Sequence, residues 1–389
     1  MYTIDDLFES RSVVGTILEN IIATYNYTKK SFSEKTGISR PTLNKLLSGN
    51  ISNMSTYKKH ITKILNALNA TPDTLLGKVP NRHNRINSIR DLLKINESDI
   101  VSSTGISLAR LKELEAGSNA NISELRDIAA NLFTDTKSIL GANYFQPQTA
   151  IMVDYIESNE DQSYSECGFW GHIGILLSHC TDYLWFPITL KTRQSIYESM
   201  NNKFILVQCM NNKLLLLNMC NIQNILLLDD DLDQPSFTNW DQNVDCGNIP
   251  FVAYEALDDY IDYKLDPDLS VSNIMSENFI NFMDSLFDTE TENNDYSNLY
   301  DIANGIKLHY KNGHILETII DCDNSPNLLS TIMSVYEFSE LELEEKTIAF
   351  ETDDTIEMIV NLDHISAIEL PMAKIEDAIC STLVEHIRE

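Results

Sequence analysis

The chain contains no apolar run as long as a membrane span. Its opening residues, MYTIDDLFES, are acidic where a secretory leader is basic and then apolar. A soluble, cytoplasmic protein is expected. Cysteine is sparse and unpatterned: Cys167, Cys180, Cys209, Cys220, Cys246, Cys322 and Cys380 are odd in number, with no Cys-x-x-Cys among them. That argues against a disulfide framework and for buried free thiols in a reducing compartment. Also absent are a nucleophile motif, a Gly-rich phosphate loop and a paired-His zinc motif. No enzymatic activity, cofactor or metal is therefore expected. Cys167, His172, His179 and Cys180 are spaced too widely for a metal pair and read as core residues. Asp229, Asp230, Asp231 and Asp233 lack the glycine and terminal Glu of a calcium loop and read as a solvated acidic segment.

Positive charge is the other scarcity. The chain has 28 Lys+Arg against 58 Asp+Glu, a formal net charge of -30. The deficit is uneven. Residues 1–141 hold 18 basic and 14 acidic residues, whereas residues 142–389 hold 10 and 44. The first part can approach a polyanion and the second is repelled by one. With 389 residues the chain exceeds one ordinary core and implies several domains.

What is present is repetition. Residues 36–50 read TGISRPTLNKLLSGN and residues 104–119 read TGISLARLKELEAGSN. Gly37, Ile38, Ser39, Leu43 and Gly49 recur 68 residues later as Gly105, Ile106, Ser107, Leu111 and Gly117. Thr28 can cap a helix running to about Thr36, Gly37 supplies a tight turn, and Ser39 can cap the next helix, with Pro41 in its first turn. Gly49 ends it. A longer helix follows from about Ser55 to Leu68, with Tyr57, Ile61, Ile64, Leu65 and Leu68 inward. The segment TPDTLLG makes one more capped turn, matched in the second copy by the turn ending ILG.

At these residues the chain resembles the lambda-repressor-like, Cro/XRE-type helix-turn-helix family, twice over, across about residues 12–141. The resemblance implies two tandem five-helix domains. It also implies that the helix after the turn enters the major groove of double-stranded DNA. In the first copy the base readers would then be Arg40, Thr42, Asn44 and Lys45. Arg can pair bidentately with guanine, Asn with adenine, and Thr can touch a thymine methyl. Thr28, Lys29, Lys30, Lys58 and Lys59 would meet phosphates. Between Tyr25 and Asn66 stand eight basic residues and one acid, Glu34, which suits the salt-sensitive part of DNA binding.

The second copy departs from this pattern. Lys29 is replaced by Glu97, Arg40 by Leu108 and Lys45 by Glu113, leaving Arg110 and Lys112 as possible readers. An acid aimed at phosphate costs affinity, so packing or dimer formation is the expected role.

A fainter repeat follows. Residues 203–228 and 346–371 align without gaps at an offset of 143, so that Lys203, Asn218, Ile222 and Ile225 match Lys346, Asn361, Ile365 and Ile368. Each reads as strand, polar turn, strand and short third strand, with another hairpin ahead of it. The pattern resembles small Sm-like or SH3-like barrels and carries no function with it. The expected fold class is α followed by α+β: two tandem helix-turn-helix domains (residues 1–80 and 81–146), then a duplicated, mostly antiparallel sheet or barrel region (147–300 and 301–389). SNIMSENFINFMDSLF is a candidate helix, and Ile375, Ile379, Leu383 and Ile387 form one stripe of a terminal helix.

Two functions of different classes fit these features. One is a sequence-specific DNA-binding regulator, homodimeric, whose acidic C-terminal region binds an effector, a basic protein partner or itself. The other is an acidic interaction protein, a DNA-mimic-like inhibitor of the kind a mobile element would use against defences, with its helix-turn-helix kept for autoregulation or scaffolding. No membrane partner is expected from either.

Overall fold

A computed structural model describes residues 4–24, 28–51, 53–68, 72–76, 84–115, 118, 120–140, 145, 168–229, 235–241, 244–266, 274–287, 296–322, 324–337, 346–352 and 355–388. The chain divides into two compact units. One comprises Met1–Ile128, Thr136–Tyr144 and Cys380–Glu389; the other comprises Ala129–Asp135 and Phe145–Ile379.

The first unit is helical. Its leading elements are α1 (Ile4–Glu9), α2 (Arg11–Thr24), α3 (Lys29–Thr36), α4 (Arg40–Leu47), α5 (Met54–Ala67) and α6 (Pro72–Leu75). They close on one core that includes Leu18, Phe32, Ile38, Leu43, Leu46, Tyr57, Ile61 and Ile64. Helix α5 begins one residue before the sequence-based start, because the Asn53 side chain accepts from the Thr56 amide at 2.9 Å and caps it. The short α1 was not anticipated; it is held where Tyr57 Oη donates to the Leu7 carbonyl at 3.1 Å. Burial pushes the Tyr57 phenol up to about 12, against the opposing charge of Arg11. Helices α7 (Ile86–Leu92), α8 (Glu97–Thr104), α9 (Leu108–Glu115), α10 (Ile122–Asn131) and α11 (Thr136–Leu140) follow.

The second unit is built on antiparallel strands. In chain order these are β1 (Phe169–Leu177), β2 (Leu184–Thr189), helix α12 (Leu190–Ser199), β3 (Phe204–Cys209), β4 (Lys213–Asn218), a 3-10 turn (Met219–Asn221) and β5 (Ile222–Asp229). Helices α13 (Phe251–Glu255), α14 (Leu257–Leu265), α15 (Glu277–Leu286) and α16 (Ser297–Asn304) intervene. Then come β6 (Gly305–Tyr310), β7 (Ile315–Asp321), α17 (Pro326–Glu337), β8 (Thr347–Thr352), β9 (Glu357–Asn361), a second 3-10 turn (Leu362–His364), β10 (Ile365–Pro371) and α18 (Met372–Arg388).

A three-stranded sheet has the order β2-β1-β5, and a seven-stranded sheet the order β3-β4-β10-β6-β7-β8-β9. No closed barrel forms among the described residues, which corrects the barrel expectation. The reason is pairing: β4 continues into β10 of the other repeat and does not close on its own. Strands β4 and β10 each have neighbours on both sides and are buried along nearly their whole length. That is why LLLL and ISAIELP read as apolar runs with almost no alternation. Ile173, Ile175, Phe186, Ile188, Val207, Leu215 and Leu217 form the core on this side.

All three tryptophans lie in this unit. Trp185 lies over Gly174 on the neighbouring strand, where an added Cβ would come within 2.6 Å of the indole. The Arg193 guanidinium sits 4.9 Å from the Trp170 ring centre, and Trp240 meets His172 edge-on.

Of the four metal-like residues, His172, His179 and Cys180 are described. Cys167 lies outside the described residues. His172 Nε2 is 2.9 Å from the Asp245 carbonyl oxygen. No group of three or more His, Cys, Asp or Glu is arranged to hold a metal among the described residues. Of the aspartate run, only Asp229 is described, at the end of β5. No described helix is long and apolar enough to cross a membrane. In the α18 stripe, Ile375 and Ile379 are buried; the Leu383 and Ile387 side chains lie outside the described set.

Candidate nucleic-acid interface

Helices α3 and α4 are joined by a tight turn. Gly37 adopts φ +60, the left-handed region that glycine enters without penalty. The Ile38 amide then donates back to Ser33 O at 3.2 Å. Thr36 Oγ1 donates to Phe32 O at 2.8 Å, and Lys63 Nζ reaches from α5 to the Gly37 carbonyl at 3.1 Å. Nothing in the sequence pattern singled out Lys63, because its partner lies 26 residues away. Ser39 occupies the N-cap position, but its hydroxyl bonds Thr42 Oγ1 at 2.9 Å and no backbone amide, so it does not cap as expected.

Helix α4 ends as the sequence suggests. Gly49 has φ +67, and the Asn50 amide donates to Lys45 O at 2.8 Å. Leu43, Leu46 and Leu47 face the core. On the opposite side Arg40, Asn44 and Lys45 are exposed and Thr42 is half-buried. No carboxylate pairs with Arg40, Lys30, Lys45 or Lys59 among the described residues. Helix α4 is pinned from behind by Gly15 of α2, where an added Cβ would come within 2.1 Å of the Leu47 carbonyl oxygen.

The expected phosphate residues are distributed as follows. Thr28 stands just ahead of α3, and its carbonyl accepts from the Phe32 amide at 2.9 Å. Lys29 is exposed but pairs with Glu19 of α2 at 2.9 Å. Lys30 and Lys59 are exposed and Lys58 is half-buried. Next to Lys59 and Lys63 lies His60. Burial, and then the two lysine charges, hold its imidazole below 6.5.

The α8–turn–α9 segment shares part of this bonding, although the Ile106 amide donates to Thr104 Oγ1 at 3.2 Å and the Ser107 hydroxyl accepts from the Arg110 amide at 3.2 Å. Gly105 has φ +72; Thr104 Oγ1 donates to Ile100 O at 2.6 Å, and the Ser118 amide donates to Glu113 O at 2.9 Å. Its charges are arranged otherwise. Arg110 grips Glu124 with Nε at 2.8 Å and Nη2 at 2.9 Å, and reaches Glu113 at 3.2 Å. The hydrogen bond from Arg110 holds the Glu124 carboxyl below the ordinary value. Lys112 lies 3.6 Å from Glu97. Arg90 of α7 and Glu115 of α9, both largely buried, pair at 2.9 Å. Both basic candidates of this segment are therefore engaged by acids of α8, α9 and α10, while Arg40 and Lys45 of the first have no ion-pair partner among the described residues.

Residues 18–81 match the Cro/C1-type HTH DNA-binding domain. The match runs from within α2 to just beyond α6 and so contains the turn, α4 and every basic residue discussed for the first segment. It does not extend to α7–α11. No curated protein and no solved structure matches the chain. The match points to DNA binding by residues 18–81, within a helical N-terminal region that precedes one rich in antiparallel sheet.

Proposed function

We propose that the chain is a sequence-specific DNA-binding regulator of transcription. Helix α4 of the Cro/C1-type domain lies in the major groove, with Arg40, Asn44 and Lys45 towards base edges and Thr42 at the margin of the contact. Lys30 and Lys59 meet phosphates, joined by Thr28, Lys58 and, once it exchanges Glu19 for phosphate, Lys29. The observation that carries this reading is the open, uncompensated basic face of α4 within the segment that matches the family. Residues 84–140 are a diverged second copy that keeps the turn but has spent its charges on internal pairs, so it serves packing rather than reading. The acidic sheet region, repelled by DNA, serves protein contacts.

Selection from a random-sequence DNA pool, followed by gel shift on the selected site and on the DNA upstream of the protein's own gene, tests the reading. The wild type should enrich one motif and Arg40→Ala should lose it. A wild type that enriches nothing would sink the proposal.

A further inference from the structure

The two sheet repeats share more than sequence. Strand β1 pairs with β2 and β5, and β3 with β4; in the same places β6 pairs with β7 and β10, and β8 with β9. Asn212 and Thr355, 143 residues apart, both adopt a left-handed backbone in the turn between paired strands, at φ 59 and 60. Asn218 and Asn361 cap the two 3-10 turns identically, accepting from the Cys220 and Asp363 amides.

The repeats are joined by one edge-to-edge contact, β4 on β10. Its register pairs Leu217 with Ala367, Leu216 with Ile368, Leu215 with Glu369 and Leu214 with Leu370. Asn218 reinforces it by donating to Leu362 O at 3.0 Å, and Asn221 by donating to Ile365 O at 2.7 Å. The counterpart of β4 is β9, and the counterpart of β10 is β5. Among the described residues each of these has a single strand neighbour: β8 for β9, and β1 for β5. Each chain thus uses this joint once and is left with one complementary edge of each kind.

The side chains agree. Leu216 is 1% exposed, whereas its counterpart Ile359 is 69% exposed, and Ile356 beside it is 56% exposed. Strand β10 is buried at all seven positions, while β5 is buried only at Leu228. Open edges are usually guarded by lysine, proline or inward charge. Neither β5 (IQNILLLD) nor β9 (EMIVN) contains lysine or proline, and each carries one acid in a chain that has 58.

We infer that β9 of one chain pairs antiparallel with β5 of a second copy of this chain, repeating between chains the joint that β4 and β10 make within one. Moving the internal register by 143 residues places Ile359 opposite Ile225, Val360 opposite Asn224 and Met358 opposite Leu226 of the neighbour. The contact is head-to-tail, so it builds a ring if the rotation closes and a filament if it does not. It rests on the sheet region alone and is independent of the DNA reading.

Sedimentation of the full chain over a concentration series tests this. The wild type should show multiples of the 44.2 kDa chain mass. Ile359→Asp, at a position too exposed to disturb the core, should return it to a single chain with unchanged thermal melting. In a second measurement, Ile359→Cys chains mixed with Ile225→Cys chains should form an interchain disulfide on mild oxidation, beyond the background given by the wild-type thiols. A wild type that stays at one chain mass throughout overturns the inference. So does an Ile359→Asp protein that keeps the multiple mass, or a cysteine mixture that does not exceed background. A chain that binds its DNA site but never associates overturns this inference and leaves the DNA reading intact.

Discussion

Arg40 and Arg110 show how two residues with the same chemistry acquire different uses. Arg40 is exposed on α4 and has no ion-pair partner among the described residues, while Arg110 is held by two acids whose hydrogen bonds push its guanidinium further up. Arg40→Ala is expected to cost about 1–3 kcal/mol on the specific site and to relax preference at one base pair. Arg110→Ala should leave DNA affinity unchanged and lower the melting temperature slightly, because partly exposed ion pairs contribute about 0–1 kcal/mol. Gel shift and calorimetry on the same two proteins separate the cases; equal losses in affinity would show that both segments dock. Lys30→Ala should weaken all DNA sequences alike and lower the salt slope by about one. These residues could be named from the sequence because their type and offset from Gly37 carry the information. The pairing of Lys29 with Glu19, and of Arg110 with Glu124, could not, because each partner comes from another helix at no fixed spacing.

At the scale of elements, helix ends were legible wherever backbone geometry demands one residue type. Gly37, Gly49 and Gly105 all sit at positive φ, and each marks an observed boundary. Ends chosen by side-chain competition were less legible: Ser39 bonds Thr42, and Asn53 caps α5. The strand hairpins could be read from alternation and turn residues, but the β4–β10 joint links residues some 150 apart and leaves no local mark. The placement of α4 depends on Gly15 in the same non-local way. Gly15→Ala drives a methyl into the Leu47 carbonyl and should cost about 1–3 kcal/mol through overpacking. Because it shifts α4, DNA affinity should fall along with the denaturation midpoint. Unchanged affinity in a destabilised protein would mean that α2 moves and α4 does not.

For the molecule as a whole, pH acts through several groups, of which His60 and Glu369 stand in different units. His60 has its folded value held below 6.5, so the unfolded chain binds the extra proton and stability falls as pH drops through the ordinary histidine range, levelling off below the folded value. His60→Gln should flatten that decline. Glu369 behaves differently. Burial pushes its carboxyl up, but the hydrogen bond with His309 at 2.7 Å and the charges of Lys213 and Lys307 outweigh burial, so its folded value lies below 4.5. Its contribution is present above the unfolded value and is lost as pH falls through the folded one. Glu369→Gln should therefore destabilise the sheet unit at neutral pH and make it less sensitive between about pH 5 and 3. Urea titrations at several pH values check both, and a Glu369→Gln protein as acid-sensitive as wild type would remove the carboxylate from the argument.

The indoles of Trp170, Trp185 and Trp240 all belong to the sheet unit, and the Cro/C1-type domain contains none. Emission excited selectively from tryptophan therefore reports on that unit alone. Melting followed by tryptophan emission traces the sheet unit, while circular dichroism, dominated by helix, senses the helices of both units. Two separated midpoints would mean that the units unfold independently. An emission change on adding DNA would mean that binding is felt in the sheet unit.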